Sequence, residues 1–213
     1  MDRYETTIEA FDKQAEAYFE KFVAFELYNK SYDNFCGFLE KNNPDILEVG
    51  CGPGNVTKYL LSRRPDFNIE GIDLAPSMVK SAIYNNPNAR FRIMDARSIH
   101  QIEKKYDAVM CGFCMPYLSK EECIQLIFNS GKLLRPGGIF YFSTMEGNYT
   151  DSGYQISSNG KYKTYRYLHE ETYLTDAVSE SDMEIVSLER QIYTKHDGSS
   201  DMDMFFIVRK KEI

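Results

Sequence analysis

The apolar positions of this chain fall into three regimes. From residue 6 to 22, Ile8, Phe11, Ala15, Tyr18, Phe19 and Phe22 recur at helical spacing, with Thr6 or Thr7 placed to cap the start. One amphipathic helix is expected over 6–22. A second aromatic stripe, Phe25, Tyr28, Tyr32, Phe35 and Leu39, predicts another helix that ends at Asn42-Asn43-Pro44.

From Asp45 onward short apolar runs alternate with helical patterns. Strands are predicted over 46–50, 68–72, 90–94, 106–111 and 139–144. Helices are predicted over 55–63, from Pro76, a favoured first helical residue, and from Ser119 to Leu134. Ser119-Lys120-Glu121-Glu122 reads as a capping box, and Arg135-Pro136-Gly137-Gly138 breaks the helix it opens. Such alternation implies a parallel sheet with helices on both faces.

After Thr144 the alternation lapses into a polar, tyrosine-rich stretch to about Leu168. A helix over 170–179 and strands over 184–193 and 204–210 follow. The connection between the last two strands is too short for a crossover helix, so these strands should be antiparallel. The expected architecture is α/β, with a seven-stranded, mostly parallel sheet and one antiparallel strand near its edge. Residues 1–213 form one domain in this reading, with 1–42 as a helical lid and 145–168 as a lid-like insertion.

Composition narrows the possibilities. The chain has 213 residues, 43% of them hydrophobic and 27% charged, which suits an ordinary globular domain. A net charge of −7 gives no long-range pull toward phosphate backbones or anionic lipid, so neither nucleic acid nor membrane is an expected partner. No apolar run approaches the roughly 18 residues that cross a bilayer, and residues 1–7 lack a signal-like apolar stretch. A cytoplasmic protein is expected, with Cys36, Cys51, Cys111, Cys114 and Cys123 as free thiols. Cys111 and Cys114 have the C-x-x-C spacing, but no second pair or nearby histidine completes a zinc set, and no metal is expected.

The strongest chemical signal is Ile46-Leu47-Glu48-Val49-Gly50-Cys51-Gly52-Pro53-Gly54-Asn55, where a buried strand turns into a helix. Alternate glycines let the backbone turn tightly and approach a ligand, and the helix start supplies free N–H groups. Asp73 ends the next strand, 19 residues after Gly54, where an acid can accept both hydroxyls of a ribose. The turn lacks the G-x-G-x-x-G spacing of a dinucleotide site and the Lys-Ser/Thr of a triphosphate loop. Glu48 beside it would repel a pyrophosphate and suit an ammonium or sulfonium centre. These features favour S-adenosylmethionine over NAD.

On these residues the chain resembles the class I S-adenosylmethionine-dependent methyltransferases, a Rossmann-like superfamily. Phe11-Asp12-Lys13-Gln14-Ala15-Glu16-Ala17-Tyr18 looks like its opening helix, and Leu47–Gly54 like its first motif. Gly71-Ile72-Asp73-Leu74-Ala75-Pro76-Ser77-Met78, Met94-Asp95-Ala96 and Tyr106–Cys111 look like the next motifs, in the family's order. The resemblance implies a cofactor site of Tyr18, Glu48, Gly50, Gly52, Gly54, Asp73, Leu74, Met78, Asp95, Ala96 and Cys111. Within it, Asp73 would bind the ribose, Met78 pack near the adenine and Asp95 accept from the adenine amino group. Three of these residues have a second reading: Met78 as core, Asp95 as the cap of the following turn, and Tyr18 as a core aromatic.

The segment Cys111-Gly112-Phe113-Cys114-Met115-Pro116-Tyr117 lacks the Asn/Asp-Pro-Pro-Tyr of exocyclic-amine methylation. It also lacks the glutamate pair of the arginine-methylating branch, and the chain contains no Pro-Cys dipeptide. A small-molecule acceptor is therefore expected, with a protein or RNA side group, or a non-catalytic cofactor-binding role, as alternatives. No pattern singles out a catalytic residue. Tyr149, Tyr154, Tyr162, Tyr165, Tyr167 and Tyr173 could roof an acceptor pocket or cover a sheet edge. His169 suits a cap or packing position better than a general base, and His100 and His196 lie in polar loops.

Overall fold

Side chains alternate across a strand, and the central strands here are apolar on both faces, as a sheet covered by helices requires. The computed structural model describes residues 2–157, 160–195 and 198–212. His196, residues 158 and 159 of the polar stretch, and the two terminal residues of the expected 1–213 domain lie outside the described residues. The strands are β1 (Asp45–Val49), β2 (Asn68–Asp73), β3 (Arg90–Ile93), β4 (Tyr106–Cys111), β5 (Leu134–Glu146), β6 (Gly153–Ile156), β7 (Lys163–Arg166), β8 (Met183–Thr194) and β9 (Ser200–Lys210). The helices are α1 (Arg3–Asp12), α2 (Ala15–Phe22), α3 (Asn29–Gly37), α4 (Asn55–Arg63), α5 (Pro76–Asn85), α6 (Lys120–Leu133) and α7 (Glu171–Glu180).

The main sheet has seven strands in the order β3-β2-β1-β4-β5-β9-β8. All neighbours from β3 to β5 are parallel, and β9 runs antiparallel to both β5 and β8. The expected α/β class, the single antiparallel strand and the antiparallel final pair are all present. The order reverses between β1 and β4, which opens a crevice at their carboxyl ends.

Alternation sorts the core into two layers. Leu47, Val49, Val109, Phe140, Phe142 and Phe206 pack under α6 and α7, with the Phe142 and Phe206 rings stacked at 4.6 Å. Ile46, Met110, Tyr141, Phe205 and Ile207 pack on the other side against Phe35 of α3 and Leu60 of α4. The expected capping box is present: Ser119 Oγ accepts the Glu122 N–H, and the Glu122 carboxylate accepts the Ser119 N–H.

Three local expectations are corrected. The single helix expected over 6–22 breaks at Lys13 and Gln14. There the Asp12 carboxylate accepts the Ser77 N–H at 2.6 Å, capping the first turn of α5, and Gln14 Nε2 donates to the Ala10 carbonyl. The second helix ends at Gly37 rather than near Asn42, because the Arg64 guanidinium takes the Leu39 and Lys41 carbonyls. The fifth strand begins at Leu134, with Pro136-Gly137-Gly138 absorbed in a register shift against β4.

The polar stretch 145–168 contains a hairpin, β6 with β7. It is fastened to α1, since Thr7 Oγ1 accepts the Tyr165 N–H at 3.0 Å and Arg3 lies 4.9 Å from the Tyr165 ring centre. No helix among the described residues is long and apolar enough to cross a membrane.

Candidate active site

The turn after β1 uses left-handed backbone at Gly50, Gly52 and Gly54, with φ of 68°, 52° and 83°. Gly54 opens α4, and a Cβ there would stand 2.3 Å from Asn86 Nδ2, whose amide donates to the Gly54 carbonyl. Only glycine satisfies both the backbone angle and that close approach.

Asp73 ends β2 beside this turn. Its Oδ2 accepts the Gly52 N–H and its Oδ1 accepts the Ala75 N–H, both at 2.9 Å. Burial pushes its pKa up despite these donors. Asp95 follows β3 and accepts the Arg97 N–H at 2.8 Å while pairing with the Arg97 guanidinium at 2.6 Å. Burial opposes its ionisation, but these bonds prevail and hold its pKa below the usual carboxylate value.

A cavity of about 640 Å³ lies at the carboxyl ends of β1, β2 and β4. Of the expected cofactor residues, Gly50, Gly52, Asp73 and Leu74 line it from the first two strand ends. Met78, Asp95 and Ala96 line it from α5 and the end of β3, and Tyr18 from α2. Asp95 caps its turn, as its second reading had it, and also faces the cavity. Met78 likewise lines the cavity while packing with Ala15 and Ala75.

Glu48, Gly54 and Cys111 do not line it. Glu48 is 2% exposed, accepts the Thr57 hydroxyl beneath α4, and burial pushes its pKa up to about 8. The expected open negative charge beside the turn is thus a carboxyl sealed in the core. Cys111 is fully buried among the residues under α6, and Cys114 alone of the pair reaches the cavity.

The roof differs from the tyrosine set. Tyr162 reaches the cavity, together with Gln155, Ile156, Thr164 and Arg166 of the hairpin. Tyr167 instead accepts a hydrogen bond from Arg3, Tyr149 accepts the Lys120 N–H, and Tyr154 and Tyr165 pack edge to face. His169 is fully buried, its Nε2 is 3.0 Å from the Met115 carbonyl oxygen, and burial pulls its pKa down to about 4. It is a packing residue. His100 is exposed, with Nδ1 3.2 Å from the Arg97 carbonyl oxygen. Among the described residues no three His, Cys, Asp or Glu side chains gather as a metal site, and the five cysteines are free.

Sequence reasoning missed the far half of the cavity. Tyr28 and Phe113 pack there with their rings tilted by 39°, 4.8 Å between centres. The Tyr28 hydroxyl donates to Asp203 Oδ2 at 2.7 Å. Asp203 is 1% exposed, its Oδ1 has no partner, and burial pushes its pKa up to about 6. One signal existed: Asp203, Phe205 and Ile207 share a strand face, and an acid in an otherwise apolar face is unusual.

A sheet of this order, with a glycine turn after the first strand and an acid ending the second, defines a Rossmann-like methyltransferase fold. Residues 46–138 match the family model described as "Methyltransferase domain". That match covers 93 of the 213 residues, and together with the fold it makes the chain similar to the class I S-adenosylmethionine-dependent methyltransferases, whose cofactor is S-adenosylmethionine.

It is 43% identical to a malonyl-[acyl-carrier protein] O-methyltransferase of Acetivibrio thermocellus, over 33% of this chain and 25% of that one. It is 31% identical to a trans-aconitate 2-methyltransferase of Variovorax paradoxus, over 44% of this chain and 36% of that one. Among solved structures, the Burkholderia thailandensis 1,6-didemethyltoxoflavin-N1-methyltransferase has a similar fold. It superposes with a TM-score of 0.70 at 16% identity, covering 96% of this chain and 87% of that one. That structure holds 1,6-didemethyltoxoflavin and S-adenosylhomocysteine. The chain spans half or less of the length of the curated relatives it matches.

Proposed function

We propose that this chain catalyses methyl transfer from S-adenosylmethionine to a small-molecule nucleophile by direct in-line displacement. The observation that carries this reading is one cavity that joins the glycine turn and Asp73 to an aromatic half around Tyr28 and Phe113. The cofactor fits the residues present. The Asp73 oxygens each have a further lone pair for the ribose hydroxyls, and Met78, Asp95 and Ala96 bound the side where an adenine would lie. Gly50 and Gly52 would border the methionine moiety, with Gly54, Glu48 and Cys111 supporting them from behind.

Bound there, the cofactor supplies a methyl group already activated by its sulfonium. The chain's own task is then alignment and exclusion of water. Tyr18, the N-terminal helices within 1–42 and the 145–168 segment act as a lid in this reading. The fastening of β7 to α1 supports that role. The aromatic half and the free Asp203 oxygen suit an acceptor with a flat or apolar body and a hydrogen-bond donor.

The trans-aconitate and 1,6-didemethyltoxoflavin in the names of similar proteins support a small-molecule acceptor. The net charge of −7 supports the absence of a nucleic-acid partner, and five free thiols support a cytoplasmic setting. The test is transfer of tritiated methyl from S-adenosylmethionine into a whole-cell extract, fractionated afterwards into small molecules and macromolecules. Label in a small-molecule fraction is the expected result. Label only in macromolecular fractions, or none at all, would sink the proposal.

A further inference from the structure

Arg166 ends β7 of the hairpin and faces the cavity. Arg63, Arg64, Arg92, Arg97, Arg135 and Arg190 each pair with a carboxylate within 3.2 Å. Arg166 makes no such pair among the described residues, and its Nε is shielded from solvent with no hydrogen-bond partner. Its guanidinium is within hydrogen-bonding reach of the Tyr117 hydroxyl, and it acts through space on the Tyr18 hydroxyl and, on β9, on the carboxylate of Asp203, which does not close into an ion pair with it.

Arg166 is partly buried, and shielding its Nε from water with no hydrogen-bond partner and no paired carboxylate is costly, so a site that keeps this guanidinium open is prepared for an anion. Its planar fork matches the two oxygens of a carboxylate. Asp73, Asp95 and Asp203 line the same cavity, and three carboxylates disfavour a dianionic phosphate there.

We propose that Arg166 is a carboxylate anchor of the active-site cavity, gripping the carboxylate of a bound ligand as the hairpin lies over it. The proposal rests on the methyltransferase reading above. Two ligands could bring the group: the amino-acid end of the cofactor, or an acidic acceptor. The chemistry is the same, and the sources separate experimentally.

Calorimetry on the full chain would compare wild type, Arg166→Gln and Arg166→Lys, each first shown to unfold at the wild-type temperature. The probes are S-adenosylhomocysteine, 5′-methylthioadenosine, which keeps the adenosine and sulfur but lacks the carboxylate, and a panel of acetate, malonate and benzoate. The panel is titrated with and without S-adenosylhomocysteine.

If the cofactor brings the carboxylate, Arg166→Gln weakens S-adenosylhomocysteine roughly 10- to 100-fold and leaves 5′-methylthioadenosine unchanged, while Arg166→Lys recovers part of the loss. If the acceptor brings it, S-adenosylhomocysteine binds both proteins equally, and a carboxylate of the panel binds its wild-type complex at least tenfold more tightly than the Arg166→Gln complex. Equal binding of every probe by wild type and Arg166→Gln overturns the proposal. Should wild type bind neither nucleoside, the cofactor reading fails, and the panel without nucleoside judges Arg166 by the same comparison.

Discussion

The Asp73 carboxylate accepts the Gly52 N–H at 2.9 Å, so the end of β2 holds the turn that follows β1. The same acid lines the cavity, and the proposed function assigns it a ribose. Asp73→Ala should weaken S-adenosylhomocysteine by roughly 1.5–3 kcal/mol, the scale of hydrogen bonds to a charged group. Calorimetry measures this, with thermal unfolding run alongside because Gly52 and Ala75 also lose a partner. Unchanged affinity would remove Asp73 from the cofactor site.

Two glycines of that turn should separate folding from binding. At Gly52 an added Cβ meets nothing within 4 Å, so Gly52→Ala costs only its left-handed backbone, about 1–2 kcal/mol, and places a methyl in the cavity. At Gly54 the same change also drives Cβ against Asn86 and the Ala82 backbone, adding roughly 1–3 kcal/mol. Gly54→Ala should therefore lower the unfolding midpoint more, and Gly52→Ala should weaken S-adenosylhomocysteine at a smaller stability cost. The reverse order in denaturant titrations would show that the turn is not built as described.

Glu48 should make stability fall as pH rises. Its pKa is about 4.5 unfolded and about 8 in the folded protein, chiefly through burial, so the native state holds a proton that the unfolded state has lost. The stabilisation is complete below about pH 4.5 and disappears as pH passes through about 8. Glu48→Gln, an uncharged isostere, should flatten this part of the profile. Parallel wild-type and variant curves of unfolding midpoint against pH would contradict the buried proton.

Tyr28→Phe keeps the ring contacts with Phe113 and Phe205 but removes the donor to Asp203, whose Oδ1 is already unpartnered. Both oxygens would then be unpaired and nearly solvent-free. A loss of about 1–3 kcal/mol in urea unfolding is expected, with Asp203 titrating above its present value of about 6. Tyr28→Phe, Asp203→Asn and the double variant form a cycle, and additive losses would show that the pair does not act together.

Helix α1 and the hairpin should open together. Thr7 bonds β7 through Tyr165, and Arg3 bonds Tyr167 just beyond it. Hydrogen exchange should be faster over 2–22 and 153–166 than over β1 in the empty protein, and slower in both segments with S-adenosylhomocysteine. Thr7→Val should speed exchange in both. Protection equal to that of β1 without ligand would make these segments rigid core.

Much of this was written locally. The run 106–111, the helix from Asn55 to Arg63, the Ser119 capping box and the glycine turn each depend on residues within a few positions of one another, and the structure places them as read. So do the strand alternation and short connections that make the sheet mostly parallel with an antiparallel final pair. Sequence by itself therefore determined the fold and the half of the cavity around the glycine turn and Asp73, because backbone periodicity and a strand–turn–helix unit are short-range properties.

Tertiary structure alone decided the other half. Tyr28 meets Asp203 across 175 positions, Arg166 comes to Tyr117 from a hairpin folded back on α1, and Asp12 breaks its own helix to cap α5. Glu48 illustrates the limit within one residue. Its spacing to the glycines is local, but whether its carboxyl faces a ligand or lies sealed beneath Thr57 depends on which helix covers that face of β1. Burial and charge pairing arise when distant segments meet, so no window of the sequence contains them.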